Sequence, residues 1–436
     1  MPKAGNFYIE DIKLYHSKKS FFTFVHNILN INYYGAMKKI FILLVLTFQL
    51  NILAGGKPYL ILVSFDAFRW DYMERGLTPN LDKFASEGVN SLSLEPCFPS
   101  KTFPNHMSII TGMYPQNHGI IHNTIYNRFT EKTYKMSDSN EVRDPRWYLG
   151  EPFWETAERQ GITTASYFWP GSEMKLDYRR PTYFLPYDHD CPEDKKIAGI
   201  IDWLSLPESQ RPHFITVYFH ETDDDGHNFG PNSPEINRSI VKLDSIAGLL
   251  LSSLSKLPIK DSINVVFLSD HGMTEISKER QINIGKILDG LKAKLFDSGP
   301  VMMISPSGSS VDSLYDRLKK NEINYQVYKR EEVPANLHFS ENPFIAEIVV
   351  IADMGWTLVQ NNKREYYSDS KGNHGYDNHH LDMNGFFIAN GPAFKSNYQT
   401  GTIRNIDIYP MLCKIFNIFP KSNIDGKLER IEQILK

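Results

Sequence analysis

The sequence has few cysteines, and they follow no recognisable pattern. Cys97, Cys191 and Cys413 are the only three in 436 residues, and they lie far apart with no CxxC pair. Thiolate zinc sites need closely spaced cysteine pairs, and disulfide-stabilised scaffolds need more cysteines than this. The sequence therefore argues against both, and at most one pair could form a disulfide bond.

An excess of charge of either sign is also missing. The chain has 47 Lys and Arg against 51 Asp and Glu, a formal net charge of −4 at pH 7. Proteins that bind nucleic-acid duplexes usually carry clustered positive charge, so we expect no such partner. Repeats and low-complexity tracts are absent too. A hydrophobic content of 41% is that of an ordinary soluble protein, and we expect one main folded body.

One apolar run stands near the amino terminus. A basic start at Met37 is followed by "IFILLVLTFQLNILAGG", a short apolar stretch that ends in small residues. This pattern is typical of a secretion signal, with cleavage expected near Ala54. We therefore predict a misassigned upstream leader over residues 1–36, a signal peptide over 37–54, and no stable membrane span after cleavage. An internal signal anchor is the alternative.

Three further apolar runs end in acidic residues. They are "PYLILVSFD", ending in Asp66, "HFITVYFHETD", ending near Asp223, and "INVVFLSDH", ending at Asp270 and His271. Runs that are apolar on both faces are typical of strands inside a mostly parallel sheet, and helix-like segments lie between them. The sequence therefore predicts an α/β fold that gathers ligands at the carboxyl ends of its strands.

The alternating pattern is interrupted in the second half of the chain. From about residue 281 to 370, short apolar runs such as "GPVMMISPS" and "FIAEIVVIAD" flank a helix-like "SVDSLYDRLKKN". We predict a small α+β insert here, packed beside the site. The sheet pattern then resumes with "NGFFIANG", and a closing helix is expected around "RNIDIYPMLCKIF".

The candidate metal ligands are all Asp or His. Any one of them is more often a cap, turn or packing residue, but the whole set is hard to explain in that way. Ligands of this kind without thiolates suit zinc or a similar borderline divalent metal, and six of them plus a hydroxyl exceed the needs of one tetrahedral ion. Two ions are implied, and ions about 3.5–4 Å apart are commonly used for phosphoryl transfer. The six residues are Asp66, Asp223, His227, Asp270, His271 and His374.

Thr102 occupies a distinctive position in "FPSKTFPNHMSIITG". Pro104 suits the first turn of a helix because the amide it lacks would be unpaired there, so Thr102 is expected at a helix amino terminus. The local positive field there favours an alkoxide or a bound phosphate. A simple capping threonine is the alternative, but the candidate metal ligands favour a nucleophile.

These motifs resemble those of the nucleotide pyrophosphatase/phosphodiesterase family (type I phosphodiesterases) of the alkaline phosphatase superfamily. The matching segments, in family order, are "PSKTFPNHMSIITGMYPQNHGIIHN", "FWPGSE", "ETDDDGHNFGP", "SDHGM" and "NHGYDN". The resemblance implies an alkaline-phosphatase-like α/β/α sandwich with a central mostly parallel sheet. It also implies a phosphodiesterase catalytic domain over 58–425, which contains the α+β insert.

The resemblance further implies how the candidate residues divide. Thr102 would be the nucleophile and would contact the second of two Zn²⁺ ions, and Asn123 would donate a hydrogen bond to a phosphate oxygen. One ion would be held by Asp223, His227 and His374, and the other by Asp66, Asp270 and His271.

A substrate site is implied beside the metal centre. Phe103, Trp169, Tyr183 and Tyr218 would frame a slot for a nucleobase, and Lys101 is assigned to substrate binding with them. The expected protein is a minimal, bacterial-type enzyme, secreted or periplasmic. It would cleave phosphodiester or pyrophosphate bonds of small nucleotides through a phosphothreonine intermediate.

Other functions remain open on the same residues. A phosphomonoesterase, a phosphonate hydrolase or a lysophospholipase C-type enzyme would share the metal ligands and differ in what holds the far side of the substrate. The diesterase is favoured because the aromatic slot is complete and no dedicated arginine pair for a dianionic monoester is evident. A non-catalytic nucleotide binder would keep the slot and lose hydrolysis.

Overall fold

The computed structural model describes residues 57–360 and 369–436. Residues Pro58–Lys436 form one compact unit. The predicted leader, 1–36, and the predicted signal peptide, 37–54, lie outside the described residues. Within the described ranges, no helix combines the length and the apolar character that crossing a membrane requires. The three cysteines are all buried and free of disulfide bonds.

Strands and helices alternate through the first part of the described chain. The strands are β1 (Tyr59–Phe65), β2 (Val89–Ser91), β3 (Leu94–Glu95), β4 (Thr124–Asn127), β5 (Lys132–Lys135), β6 (Thr164–Tyr167), β7 (Tyr183–Leu185), β8 (Phe214–Phe219), β9 (Ile263–Leu268) and β10 (Thr274–Glu275). The helices are α1 (Pro79–Glu87), α2 (Thr102–Thr111), α3 (Pro115–His118), α4 (Ser139–Val142), α5 (Phe153–Arg159), α6 (Glu193–Leu204), α7 (Glu221–Phe229) and α8 (Pro234–Leu254).

A separate antiparallel sheet follows, in the strand order β12-β13-β15-β14, with helix α10 packing Leu314 and Leu318 inward. All of its elements fall within the range 281–370 expected for the α+β insert. The elements of this part are β11 (Gln281–Asn283), α9 (Ile284–Ile287), β12 (Ala293–Phe296), β13 (Val301–Pro306), α10 (Val311–Lys320), β14 (Tyr325–Lys329), β15 (Ile348–Ala352) and β16 (Thr357–Val359).

The last part of the chain returns to the main body. Strand β18 joins the central sheet antiparallel to β9, and the closing helix α11 is almost entirely buried. The elements are β17 (Gly372–Asn373), β18 (Phe387–Asn390), β19 (Tyr398–Thr400), β20 (Ile403–Arg404) and α11 (Ile408–Phe416).

The central sheet has eight strands in the order β19-β2-β18-β9-β1-β8-β6-β7. Strands β9, β1, β8, β6 and β7 run parallel to one another. Phe65 at the end of β1 pairs with Phe219 at the end of β8, and Ser64 pairs with Leu268 at the end of β9. The predicted α/β class with a mostly parallel sheet is confirmed. The chain leaves all three central strands at the same edge.

Burial explains why these runs form central strands. Every residue of β1, β8 and β9 is buried. Successive side chains of a strand point to opposite faces, so Leu60 and Leu62 join one apolar cluster while Ile61 and Val63 join the other. Each fully buried aliphatic side chain contributes about 1.5–3 kcal/mol, which fixes the register tightly.

The predicted helix ends carry local signals that the structure uses. Ser233 caps α8 by accepting a hydrogen bond from the Ile236 amide at 3.2 Å, and Pro234 is the first helical residue. Helix α2 begins at Thr102, as predicted, and stops at Gly112, whose φ of 67° lies in the left-handed region.

Candidate metal centre and aromatic cavity

The sheet edge brings the first acidic residues together. Asp66 directly follows β1, and Asp270 and His271 follow β9 after a single serine. All three are at most 1% exposed. His271 Nε2 lies 3.3 Å from Asp66 Oδ1 and 3.1 Å from Asp270 Oδ2, so the three side chains converge on one point.

A second group of three forms beside the first. Helix α7 carries Asp223 and His227 one turn apart, which places both side chains on one face. Asp223 Oδ1 lies 3.5 Å from Nε2 of His227 and 3.5 Å from Nε2 of His374. The His374 ring stacks on His271 with 3.7 Å between centroids, so the two groups are neighbours. These are the two sets of three that the resemblance implies.

The three histidines are oriented as metal ligands would be. In each, Nδ1–H donates to a backbone carbonyl, which leaves Nε2 bare and facing the carboxylates. Such second-shell contacts fix the tautomer and the orientation of a ligating imidazole. The acceptors are Gly372 for His227 and Gly272 for His271, both at 2.9 Å, and Ser100 for His374, at 2.8 Å.

The carboxylates also suit a cation. Asp66 Oδ1, Asp223 Oδ1 and Asp270 Oδ2 are buried and accept no hydrogen bond among the described residues. Burial raises the pKa of Asp66 well above its usual value, and repulsion from Asp270 and Asp223 raises it further. Unpaired buried carboxylate oxygens are costly, and one divalent ion at each group would satisfy them. The residues present therefore fit divalent metal ions at both groups.

Thr102 stands next to the first group. It is the first residue of α2, it is 6% exposed, and its Oγ1 lies 3.2 Å from His271 Nε2. His106, one helical turn later, donates from Nδ1 to the Thr102 carbonyl at 2.9 Å and lies 3.3 Å from Asp270 Oδ2. Sequence reasoning missed His106, although its spacing of four residues from Thr102 on a predicted helix was an available signal.

Asn123 is held close to the start of the same helix. Its Oδ1 accepts a hydrogen bond from the Phe103 amide at 3.2 Å, so its NH₂ group is the part left to meet a ligand. The adjacent His122 pairs with Asp297, from the insert, at 2.9 Å. The insert thus contacts the residue next to Asn123. No pattern in the sequence predicts this contact between His122 and Asp297.

Lys101 immediately precedes α2 and is 7% exposed. Its side chain passes so close to Gly375 that a Cβ there would lie 2.4 Å from Lys101 Cε. Burial lowers the pKa of Lys101, while the Asp297 and Asp223 carboxylates act in the opposite direction. The lysine thus lies against Gly375, the residue that follows His374. It does not line the cavity with aromatic side chains that is described next.

A cavity of about 430 Å³ opens beside the candidate metal centre, and Thr102, Asp66 and Asp223 are among the residues that line it. A space of this size is ordinary for a small-molecule site. Phe103, Trp169 and Tyr218, predicted for the base slot, all line it, and so do Phe168 and Tyr187.

Tyr183 is a correction to the predicted slot. It pairs with Ala165 in the edge strand β7, its hydroxyl donates to the Gln210 carbonyl at 3.1 Å, and it does not line the cavity. Tyr187 lines the cavity instead. It lies four residues later, in the loop after that strand, and its ring centroid is 6.1 Å from that of Tyr218. The short strand directs Tyr183 away, and no periodicity in the polar loop singled out Tyr187.

Comparison with known proteins gives one consistent family. The family model described as type I phosphodiesterase / nucleotide pyrophosphatase matches residues 60–377. Ectonucleotide pyrophosphatase/phosphodiesterase family member 5 of Homo sapiens is 36% identical over 358 residues, covering 82% of this chain and 74% of that protein. The bis(5'-adenosyl)-triphosphatase enpp4 of Xenopus laevis is 36% identical over 382 residues, covering 87% of this chain and 82% of that protein.

Solved structures show the same likeness in three dimensions. Murine ectonucleotide pyrophosphatase/phosphodiesterase 5, in an inactive variant in complex with AMP, superposes with a TM-score of 0.82 at 32% identity. The match covers 87% of this chain and all of that one. The fold expected from the motifs, alkaline-phosphatase-like with a central mostly parallel sheet, is confirmed.

Proposed function

The chain belongs to the type I phosphodiesterase / nucleotide pyrophosphatase family of hydrolases, and from that premise we propose that it cleaves phosphodiester or pyrophosphate bonds of nucleotides at a two-zinc site. One observation carries the proposal. Six Asp and His side chains form two adjacent groups of three beside a buried threonine hydroxyl at a helix amino terminus, and all of this opens onto an aromatic cavity.

Zinc is proposed from the chemistry of the ligands. The two ions would be held by Asp223, His227 and His374, and by Asp66, Asp270 and His271, with Thr102 beside the second set. Imidazole and carboxylate ligands in sets of three suit zinc and leave a coordination position open in each set. When bound, such ions act as Lewis acids that stabilise charge on phosphate oxygens.

The chain's own residues support a two-step displacement. Thr102 Oγ1 loses its proton and attacks phosphorus, so that the threonine oxygen–phosphorus bond forms as the bond to the leaving oxygen breaks, and the leaving group takes up a proton. The amino terminus of α2 and the Asn123 NH₂ group would stabilise negative charge on the phosphoryl oxygens. Water then enters from the side that the leaving group vacated, gives up a proton as its oxygen bonds to phosphorus, and displaces Thr102, whose oxygen takes up a proton in exchange. The product is a monoester such as a nucleoside monophosphate.

The aromatic cavity supports a nucleotide as the substrate. Phe103, Trp169 and Tyr218, with Tyr187 in place of Tyr183, offer flat apolar faces next to Thr102. Aromatic side chains accept any nucleobase by stacking, which favours broad base tolerance. The murine neighbour in complex with AMP and the relative named as a bis(5'-adenosyl)-triphosphatase are consistent with this substrate class.

We also propose that the enzyme acts outside the cytoplasm. Its relatives are named ectonucleotide enzymes, and the segment 37–54 has the pattern of an export signal. Fractionation of cells that express the full chain, followed by sequencing of the mature amino terminus, tests this. A mature start shortly after Ala54 is expected, and retention of the whole chain inside the cell would contradict it.

Three nitrophenyl substrates separate the proposed function from its alternatives. We expect the nitrophenyl ester of thymidine monophosphate to be turned over fastest. Nitrophenyl phosphate and nitrophenyl phosphorylcholine should both be turned over more slowly than this ester. Chelation should abolish the first activity and zinc should restore it. A preference for either of the other two esters would contradict the nucleotide assignment, and nucleotide binding without metal-dependent hydrolysis would indicate a non-catalytic binder.

A further inference from the structure

A third group of ligand-type side chains lies at the rim of the cavity. His189, His220 and Asp224 all line it, and they belong to neither of the two groups described above. Asp224 Oδ2 lies 3.4 Å from Nε2 of His220 and 3.6 Å from Nε2 of His189. Their ligand atoms all lie within 4.8 Å of one another.

These separations are those of metal ligands rather than of hydrogen bonds. Nitrogen–oxygen hydrogen bonds are usually about 2.7–3.2 Å long. Two ligands about 2.0–2.1 Å from a tetrahedral ion lie about 3.3–3.4 Å apart. The corresponding nitrogen–oxygen distances in the candidate zinc groups are 3.1–3.5 Å, close to those around Asp224.

An exposed His–Asp pair elsewhere in the chain shows the contrast. His379 Nδ1 and Asp377 Oδ1 are 2.6 Å apart, a direct hydrogen bond, and within residues 57–360 and 369–436 no third ligand-type side chain joins them. In the third group, Asp224 Oδ2 instead lies 3.4–3.6 Å from two imidazole nitrogens, beyond the usual length of a hydrogen bond. This is the arrangement expected around a shared ion.

The backbone supplies the three side chains from two elements. His220 precedes α7 and Asp224 lies one turn along, which repeats the four-residue spacing that Asp223 and His227 use on the same helix. His189 comes from the loop between β7 and α6. Its Nδ1 lies 3.1 Å from the Tyr187 hydroxyl, and donation from Nδ1–H to that oxygen leaves Nε2 bare.

We propose that His189, His220 and Asp224 bind a third divalent cation of the zinc type, with an open coordination position that faces the cavity. Two imidazoles and one carboxylate form a three-ligand set that leaves room for an oxygen donor, either water or a substrate phosphate oxygen. The side chains of His189 and Asp224 are 55% and 45% exposed, so an ion can reach them from solvent.

Counting bound ions tests the proposal without measuring catalysis. The full chain is stripped of metal and dialysed against a series of buffered free zinc concentrations, and bound zinc per chain is measured at saturation. The wild type should hold one ion more than His189→Ala and one ion more than Asp224→Asn. His379→Ala, the matched control, should hold as many ions as the wild type.

His189→Ala is the decisive variant because it leaves α7 untouched. Asp224 adjoins Asp223, so a change there could also disturb the neighbouring group, whereas His189 is on a separate loop and exposed. Equal zinc stoichiometry and affinity in the wild type and in His189→Ala would overturn the proposal. The difference in count does not depend on the proposed hydrolytic function, so each can fail without the other.

Discussion

The hydroxyl of Tyr218 donates a hydrogen bond to Oδ2 of Asp66 at 2.5 Å. One residue of the aromatic cavity therefore also holds a carboxylate of the candidate metal centre. This contact leaves Asp66 Oδ1, 3.3 Å from His271 Nε2, as the oxygen free to meet an ion. Tyr218 thus links the aromatic cavity directly to a ligand-type side chain of the candidate metal centre.

Removing only this hydroxyl should weaken the metal centre while keeping the ring in the slot. Second-shell changes of this kind typically cost about 10–100-fold in metal affinity or activity. We expect Tyr218→Phe to lose zinc affinity and kcat by that order, with a smaller change in KM. Equilibrium zinc binding and turnover of the thymidine monophosphate ester measure these effects.

Tyr325→Phe is the matched control for this change. Its buried hydroxyl donates to the Leu318 carbonyl at 2.6 Å within the insert, away from the metal centre. It should keep wild-type zinc affinity. Unchanged zinc binding in Tyr218→Phe would show that the hydrogen bond to Asp66 does not position a metal ligand.

Thr102→Ala should abolish turnover and leave metal binding intact, because the variant lacks the attacking oxygen but keeps all six Asp and His ligands. Thr102→Ser should retain part of the activity, since it keeps a hydroxyl at the same point. Thr111→Ala is a control on the same helix, where the hydroxyl bonds to the Met107 carbonyl. Near-normal steady-state rates for Thr102→Ala would refute the nucleophile assignment.

Much of this site could be predicted because it follows from strands and helix starts. Runs that are apolar on both faces gave β1, β8 and β9, and parallel strands end at one edge, so Asp66 and Asp270 had to meet. The start of α2 at Thr102 followed from Pro104, and the glycine at position 112 marks the end of the helix. Local sequence carries such information because burial and capping act over a few residues.

The remaining features depend on tertiary contacts that local sequence does not encode. Tyr183 and Tyr187 are both aromatic and lie four residues apart, and only the pairing of β7 with β6 decides which one reaches the cavity. Likewise, the contact between His122 and Asp297 joins segments far apart in the chain. Neither contact has a periodic signal from which it could be read.

The exchange of Tyr183 for Tyr187 in the slot gives a paired test. Tyr187→Ala should raise KM for the thymidine monophosphate ester, because loss of one stacking face costs about 1–3 kcal/mol. The effect on nitrophenyl phosphate, which lacks a nucleobase, should be smaller. Tyr183→Ala should leave both KM values near those of the wild type. The reverse ranking of the two variants would restore Tyr183 to the slot.

A buried histidine away from the metal centre predicts how stability depends on pH. His118 is fully buried, its Nδ1 accepts from the Ile120 amide at 3.2 Å, and its Nε2 lies 3.1 Å from the Pro104 carbonyl. Burial lowers the pKa of His118 from 6.5 to about 3. The folded protein therefore keeps the ring neutral at pH values where the unfolded chain already binds a proton.

The contribution of His118 to stability is complete above pH 6.5 and falls as the pH drops from 6.5 towards 3. Linkage gives a loss of about 2 kcal/mol in the free energy of unfolding near pH 5. The asparagine side chain of His118→Asn does not titrate in this range. Between neutral pH and pH 5, the free energy of unfolding should therefore fall by about 2 kcal/mol less in this variant than in the wild type. Parallel pH profiles for His118→Asn and the wild type, measured by denaturant unfolding, would show that the buried ring is protonated in the folded state as readily as in the unfolded chain.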